Sequence, residues 1–470
     1  MKEEGFPKSF IKRMTLKLDK EFPSFLESLS QESIISVRTN PQKPTNQFAQ
    51  EEKIPWNEHG YFLNKRPEFV FDPLIHGGAY YVQESSSMLF AHAIDFSKDL
   101  KILDLCASPG GKSTLLISKM SKNSVLFSNE LVGKRAEILK ENLIKWGNSN
   151  IVVTSNRSAS YASFNAFFDV VLVDAPCSGE GMFRKNNRAL QEWSENKAFV
   201  CSIGQKDILD EAIKLVRNNG LLIYSTCTYS EEENDQIVKW FYKKYKSIIQ
   251  PITIQLKDEW GVVKENVLHF DEKDQEVYRC YPHKIRGEGM FIAAFKVSSR
   301  MQSDLPKQKR NSQLFKGLSN IDQKKVNVFV KPNKDFQIRQ HLDRIYALPT
   351  RYLNEIGLAA YKLNIVLQGT YIGSFNKKSG DFIPSHDLAM SNLMKEDFPF
   401  VELELKDALH YLKKMETSIN PNNLPLGWII AKYKGCNLGF LKNNKSRLSN
   451  FYPKEWSIRK NLPNWELMKK

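Results

Sequence analysis

Five short apolar runs punctuate the middle of the chain: KILDLC (101–106), SVLFSNE (124–130), IVVTS (151–155), FDVVLVD (168–174) and GLLIYSTC (220–227). Each is too short for a buried helix and is bounded by Gly, Asn, Ser or charged residues, so each reads as a strand. Between the second and third, GKRAEILKENLIKW (133–146) carries apolar residues at helical spacing. Strand–helix–strand alternation predicts an α/β, Rossmann-like unit, a parallel sheet covered on both faces, over residues 83–300. The stretch YYVQESSSMLFAHAI (80–94) is expected to enter that unit as a helix.

The flanks have other patterns. Residues 1–82 open on an amphipathic repeat (Phe10, Ile11, Met14, Leu18, then Phe22, Phe25, Leu26) and continue through Pro-punctuated sequence, as a small basic, RNA-binding region would. Residues 301–325 are polar, with six basic and two acidic side chains, and are read as a linker. Residues 326–470 carry short apolar stretches broken by Gly, Asn and Pro (NVFV, NIVLQGTYIGSF, LGWIIAKYKG, LGFLK), which predicts a small β-rich domain.

Composition narrows the function. Of 470 residues, 41% are hydrophobic and 26% charged, which excludes a disordered chain. Lys and Arg number 68 against 53 Asp and Glu, a formal charge of +15 that suits a polyanionic partner such as RNA. In the last thirty residues, eight basic side chains alternate with Phe451, Tyr452, Trp456 and Trp465, a mixture suited to phosphates and unstacked bases. The six cysteines contain no Cys-x-x-Cys pair, so neither zinc nor a dithiol redox motif is expected. No run approaches the ~20 apolar residues of a membrane span. A cytoplasmic monomer with reduced thiols and no bound metal is the expectation.

Candidate chemistry clusters at the strand ends. After the first strand comes Cys106-Ala107-Ser108-Pro109-Gly110-Gly111-Lys112, a glycine loop opening a helix where α/β sheets bind cofactors. A phosphate-binding loop, and with it an RNA-acting NTPase, would need glycine where Cys106 stands, and Pro109 lacks the N–H a phosphate would use. Glu130 ends the second strand, twenty residues after Gly110, where a carboxylate can hold both hydroxyls of a ribose. Together these favour an adenosyl cofactor without a phosphate chain. Two further strands end in Asp174-Ala-Pro-Cys177 and Ser225-Thr-Cys227. In a parallel sheet both open on the edge that carries the glycine loop.

With DLCASPGGK, Glu130, DAPCSGEG and STCT in order, the chain resembles the Sun/Fmu-type RNA cytosine-5 methyltransferases over residues 1–300. Arg38-Thr-Asn40, Gln83-Glu-Ser-Ser86 and Pro282 to Phe291 extend the likeness. The tail is similar to that of the RsmF-type subgroup, whose PUA-like appendage binds RNA. The resemblance implies S-adenosylmethionine as cofactor and a cytosine of 16S small-subunit rRNA as target, with tRNA as the alternative. Carbon 5 of cytosine is too weak a nucleophile to take a methyl group unaided, so a thiolate must first add to carbon 6. Cys227 is the candidate nucleophile, and Asp174 the candidate to hold the ring at N3 and the exocyclic amine. The resemblance implies that Cys177 assists release. Lys112 is expected to orient Asp174 or the nucleophile. Where many relatives place an acid after the third strand, this chain has Thr154-Ser-Asn156-Arg157, and Asn156 is expected at the adenine edge.

Overall fold

A computed structural model describes residues 5–267, 276–298 and 314–463. Among them a ten-stranded mixed sheet forms the centre. Its five parallel strands lie side by side as Val216–Thr226, Phe168–Asp174, Lys101–Asp104, Val125–Asn129 and Ile151–Thr154. They are the five apolar runs of the sequence. Chain order runs outward in both directions from Lys101–Asp104, so its carboxyl end is the switch point where such a sheet opens a crevice. The strands are apolar without alternation because both faces are covered: Phe168–Val173 is buried throughout. The helix Gly133–Trp146 buries Ala136, Leu139, Leu143, Ile144 and Trp146 and stops at Gly147, whose φ of 100° suits a glycine cap.

Antiparallel strands extend both edges. Met290–Val297 pairs with Val216–Thr226 and leads on to Glu276–Cys280 and Val263–Asn266. At the other edge, Ile365–Gln368 from the C-terminal region pairs with Ile151–Thr154.

The N-terminal helices Lys8–Leu18 and Phe22–Ser30 turn Phe10, Met14, Phe25 and Leu26 onto Phe183, Trp193, Tyr229 and Tyr281. Their apolar stripe thus seals the loops that follow the two cysteine strands. After them in the chain comes a four-stranded antiparallel sheet of Glu52–Lys53, Gly60–Leu63, Ile35–Thr39 and Tyr80–Val82. The helix expected over 80–94 is therefore corrected: Tyr80–Val82 is a strand paired with Val37–Thr39, and only Ser86–Ala93 is helical, as a 3₁₀ turn. Long-range pairing of aromatic and β-branched residues overrides the local pattern.

Arg38 fastens this sheet to the central one. Fully buried, it donates to Gln83 Oε1 (2.8 Å), Thr114 Oγ1 (2.6 Å) and Ser118 Oγ (3.0 Å), and its guanidinium lies 4.6 Å from the Trp146 ring centre. Asn40 donates to the carbonyls of Gly78 and Trp146. The Arg-x-Asn pair is thus a clamp between the N-terminal sheet and two helices that cover the central one. Arg38→Ala would strand several buried acceptors, and we expect a loss on the order of 3 kcal/mol, read from the denaturant midpoint.

Of the stretch read as a linker, residues 301–313 lie outside the described residues. From 314 onward the chain is packed: Phe315 is buried against His341, and Asn320–Val326 is a helix capped by Ser319. Two further four-stranded sheets follow, one of Phe336–His341, Arg344–Pro349, Thr370–Phe375 and Phe382–Pro384, the other of Phe400–Glu402, Gly427–Tyr433, Cys436–Asn443 and Leu448–Asn450. Trp465 lies outside the described residues. Among the described residues no helix is long and apolar enough to cross a membrane.

Candidate active site

At the switch point the chain leaves Lys101–Asp104, turns through Cys106–Gly110 and enters the helix Gly111–Lys119. Gly110 has φ +113°, a conformation a side chain would strain. The loop is pinned from outside: Ala107 N–H donates to the Asn129 carbonyl (2.8 Å), and Asn142 Nδ2 donates to the Pro109 carbonyl (2.8 Å). It walls a cavity of about 380 Å³ lined by Asp104, Cys106, Lys112 and Asp174 on one side and by Ser36, Tyr81 and Gln83 of the N-terminal sheet on the other.

Asp104 is a residue that sequence reasoning passed over. Its Oδ2 accepts from Ser113 Oγ (2.6 Å), while Oδ1 is buried without a partner. Burial, helped by nearby Asp174, pushes its carboxyl up to about 7. The available signal was a carboxylate inside an otherwise apolar strand, which is costly unless something binds it. An orphaned carboxylate oxygen beside a glycine loop fits the cationic methionine end of S-adenosylmethionine.

Asp104→Asn should weaken S-adenosylmethionine binding at least about tenfold, the scale of one charge-assisted hydrogen bond, measured by titration calorimetry. The sign on stability is opposite. A carboxyl raised in the folded state favours folding below its unfolded value near 4, and that contribution is lost as pH climbs through about 7. The ligand-free Asp104→Asn protein should therefore melt above the wild type at pH 8, with the gap closing toward pH 5.

Asp174 sits at the end of its strand between two partners. Lys112 Nζ is 2.8 Å from Oδ2, and Ser225 Oγ donates to Oδ1 at 2.7 Å. Burial works against the charge on Lys112, but Asp174, with Cys227 adding to it, overcomes burial and raises its pKa. The lysine is an ammonium engaged with Asp174, not a free phosphate ligand. The two thiols meet as well: Cys177 Sγ and Cys227 Sγ are 3.1 Å apart. The contact with Cys227, reinforced by burial, pushes the Cys177 thiol well above the ordinary range, so it keeps its proton at neutral pH.

Glu233, also missed in the sequence, anchors the loop that carries Cys177. Its carboxylate accepts from Ser178 Oγ, from Ser178 N–H (2.8 Å) and from Gln205 Nε2 (2.9 Å), while Ser178 Oγ lies 2.9 Å from Thr228 Oγ1. The Ser178 hydroxyl thus joins the residue after Cys177 to the residue after Cys227, and Glu233 fixes that hydroxyl in place. Gly181 completes the junction. Its N–H donates to the Cys227 carbonyl (2.9 Å), and a Cβ there would fall 2.6 Å from the Gly289 carbonyl oxygen, so only glycine lets the two segments approach.

Two expected cofactor residues stand apart from the cavity wall. Glu130 is buried at its strand end, Oε1 accepting from Val132 N–H (2.9 Å) and Oε2 lying 3.5 Å from Arg135. Asn156, expected at the adenine edge, has its amide engaged elsewhere: Oδ1 accepts from Asn364 N–H (3.1 Å) and Nδ2 donates to the Asn364 carbonyl (3.3 Å). Its side chain seals the edge strand Ile365–Gln368 to the sheet, a role that only the distant strand makes visible. Cys106, also at the loop, is held far toward the thiol form by burial.

A doubly wound sheet with a glycine loop, a paired lysine and aspartate and an unpartnered carboxylate at one edge defines an S-adenosylmethionine-dependent methyltransferase. Three sequence families match in order: the N-terminal domain of 16S rRNA methyltransferase RsmF at residues 6–85, 16S rRNA methyltransferase RsmB/F at 91–296, and the methyltransferase RsmF PUA domain at 398–458. The chain is thus similar to the RsmB/F methyltransferases over its central region. It is similar to the ribosomal RNA small subunit methyltransferase F of Erwinia tasmaniensis, 27% identical over 96% of both chains. It is also similar to that of Shewanella loihica, 26% identical over 86% of this chain and 83% of the other. The fold matches a methyltransferase homologue from Pyrococcus horikoshii, with TM-score 0.54, 24% identity, and 62% of this chain and 95% of that one covered. It also matches NSun6 from the same organism, solved with SFG, with TM-score 0.52, 18% identity, and coverage of 63% and 99%.

Proposed function

We propose that the protein methylates carbon 5 of a cytosine in 16S small-subunit rRNA through a transient bond between Cys227 and carbon 6, acting in the cytoplasm as a monomer. The observation that carries this reading is the pair of thiols 3.1 Å apart beside the Lys112–Asp174 pair at the cofactor edge of the sheet. A methyltransferase acting on nitrogen or oxygen needs no thiol at all.

S-adenosylmethionine supplies an electrophilic methyl group. Asp104 would hold its ammonium end, the Cys106–Lys112 loop its middle, and Glu130, at the next strand end just outside the cavity lining, would reach the ribose side. Cys227, its thiol proton given up, attacks carbon 6, and the ring's double-bond pair moves toward carbon 5, which becomes the nucleophile and takes the methyl group, the electrons of the broken methyl–sulfur bond staying on sulfur. Asp174, fixed by Lys112 and Ser225, accepts from the exocyclic amine and, once it carries a proton, donates to N3, which steadies the charge that addition places on the ring. A base must then take the carbon-5 proton, which returns the electron pair between carbons 5 and 6 and expels the Cys227 sulfur as a thiolate. Cys177, a protonated thiol at 3.1 Å, donates a hydrogen bond to that departing sulfur. The cytosine must leave its stack to reach Cys227, at a cost of a few kcal/mol that is least in loops. Basic N- and C-terminal regions offset the cost through phosphate contacts.

Bisulfite sequencing of total RNA from strains with and without the gene tests the reading. One protected cytosine in 16S rRNA should lose its signal on deletion. Loss confined to tRNA would move the substrate, and no loss would refute carbon-5 chemistry.

A further inference from the structure

A second cavity, of about 320 Å³, adjoins the cofactor cavity, and the two share Tyr81 and Val82 as a wall. We infer that this second cavity is a stacking subsite for a base flanking the target nucleotide in single-stranded RNA. The inference rests on the RNA methyltransferase reading above and goes beyond it by naming where the neighbouring nucleotide sits.

The chemistry of the lining matches a nucleoside. Phe69 and Tyr81 are half-buried and present ring surface, and flat rings accept any base. Arg66, which lines the first cavity, places its guanidinium 5.6 Å from the Phe69 ring centre, so a cation stands at the boundary where a linking phosphate would pass. Lys145, whose ammonium pairs with Glu141 outside the lining, adds a second cation, and no carboxylate lines the cavity among the described residues.

His76 is the independent sign that something polar belongs there. It is 8% exposed and lines the cavity. Its Nε2 lies 2.9 Å from the Val70 carbonyl oxygen, which can only accept, so Nε2 carries the hydrogen and Nδ1 a lone pair. That Nδ1 is buried with no partner. Burial, with Lys145 adding to it, lowers the ring to about 4, so it stays neutral in the cell. A buried acceptor left unused on a residue of the cavity wall calls for a donor on the ligand. Amino groups of bases and the ribose 2′-hydroxyl are such donors.

The test is a cycle between enzyme and substrate. A 16S rRNA fragment that the wild type methylates is made with single abasic sites at each position from three before to three after the target, and KM and kcat are measured for wild type and Phe69→Leu. Leucine keeps the apolar bulk and removes the stacking face. Unchanged melting and S-adenosylmethionine binding establish that the variant is folded. At one flanking position the abasic site should raise the wild-type KM about tenfold, the scale of one lost base–aromatic stack. Phe69→Leu should raise KM similarly on intact RNA but be indifferent to that abasic site. Additive effects at all positions would overturn the subsite. His76→Phe, which keeps a ring and loses the acceptor, gives a second cycle if Phe69→Leu does not fold. If the wild type methylates no rRNA fragment, the proposed function itself fails, and the subsite falls with it for a separate reason.

Discussion

Replacing Cys227 by alanine is expected to lower methyl transfer by about 10⁴-fold or more while leaving S-adenosylmethionine binding near wild type. The size follows from what the thiol does. Without a sulfur on carbon 6, carbon 5 keeps its weak nucleophilicity, and positioning alone cannot replace covalent activation; losses of this order accompany removal of a covalent nucleophile. The cofactor side should be spared because Cys227 does not line the cavity that Asp104 and the glycine loop form. Single-turnover transfer of labelled methyl to rRNA, with calorimetric titration of the cofactor beside it, separates the two effects. A Cys227→Ala enzyme within tenfold of wild type would overturn covalent catalysis at this residue.

Why Cys227 stood out from sequence, and Glu233 did not, is a matter of range. The strands Phe168–Asp174 and Val216–Thr226 are buried on both faces over most of their length, so their apolar runs are nearly unbroken and their ends conspicuous. A cysteine just past such an end is presented at the sheet edge by local rules alone. Glu233 looks like one more acid in Ser-Glu-Glu-Glu-Asn, and only the closing of two loops against each other turns it inward toward Ser178 and Gln205. The same limit governs Asn156. Its neighbours predict a free strand end, but Ile365–Gln368, more than two hundred residues later, completes the sheet there and takes up its amide. Arg38 and Asn40 were visible as a pattern, yet their work as a clamp depends on Trp146 and the glycine-loop helix, which no local pattern links to them.

Cys177→Ala is expected to do something Cys227→Ala cannot: trap the enzyme on its RNA. Addition and methyl transfer need Cys227, Asp174 and the cofactor, all of which remain. Release differs, because the Cys227 sulfur must leave carbon 6 as a thiolate, and a thiolate without a hydrogen-bond donor in a buried site is costly. In the wild type the proton-bearing thiol of Cys177 lies 3.1 Å away to supply that bond. Alanine removes it. Incubation with 16S rRNA and S-adenosylmethionine should then give a protein–RNA band that survives denaturing electrophoresis and disappears on digestion with ribonuclease. The double variant Cys177→Ala/Cys227→Ala should form no such band, which assigns the bond to Cys227. Normal turnover by Cys177→Ala would show that release proceeds without the second thiol, and a persistent band in the double variant would move the nucleophile elsewhere.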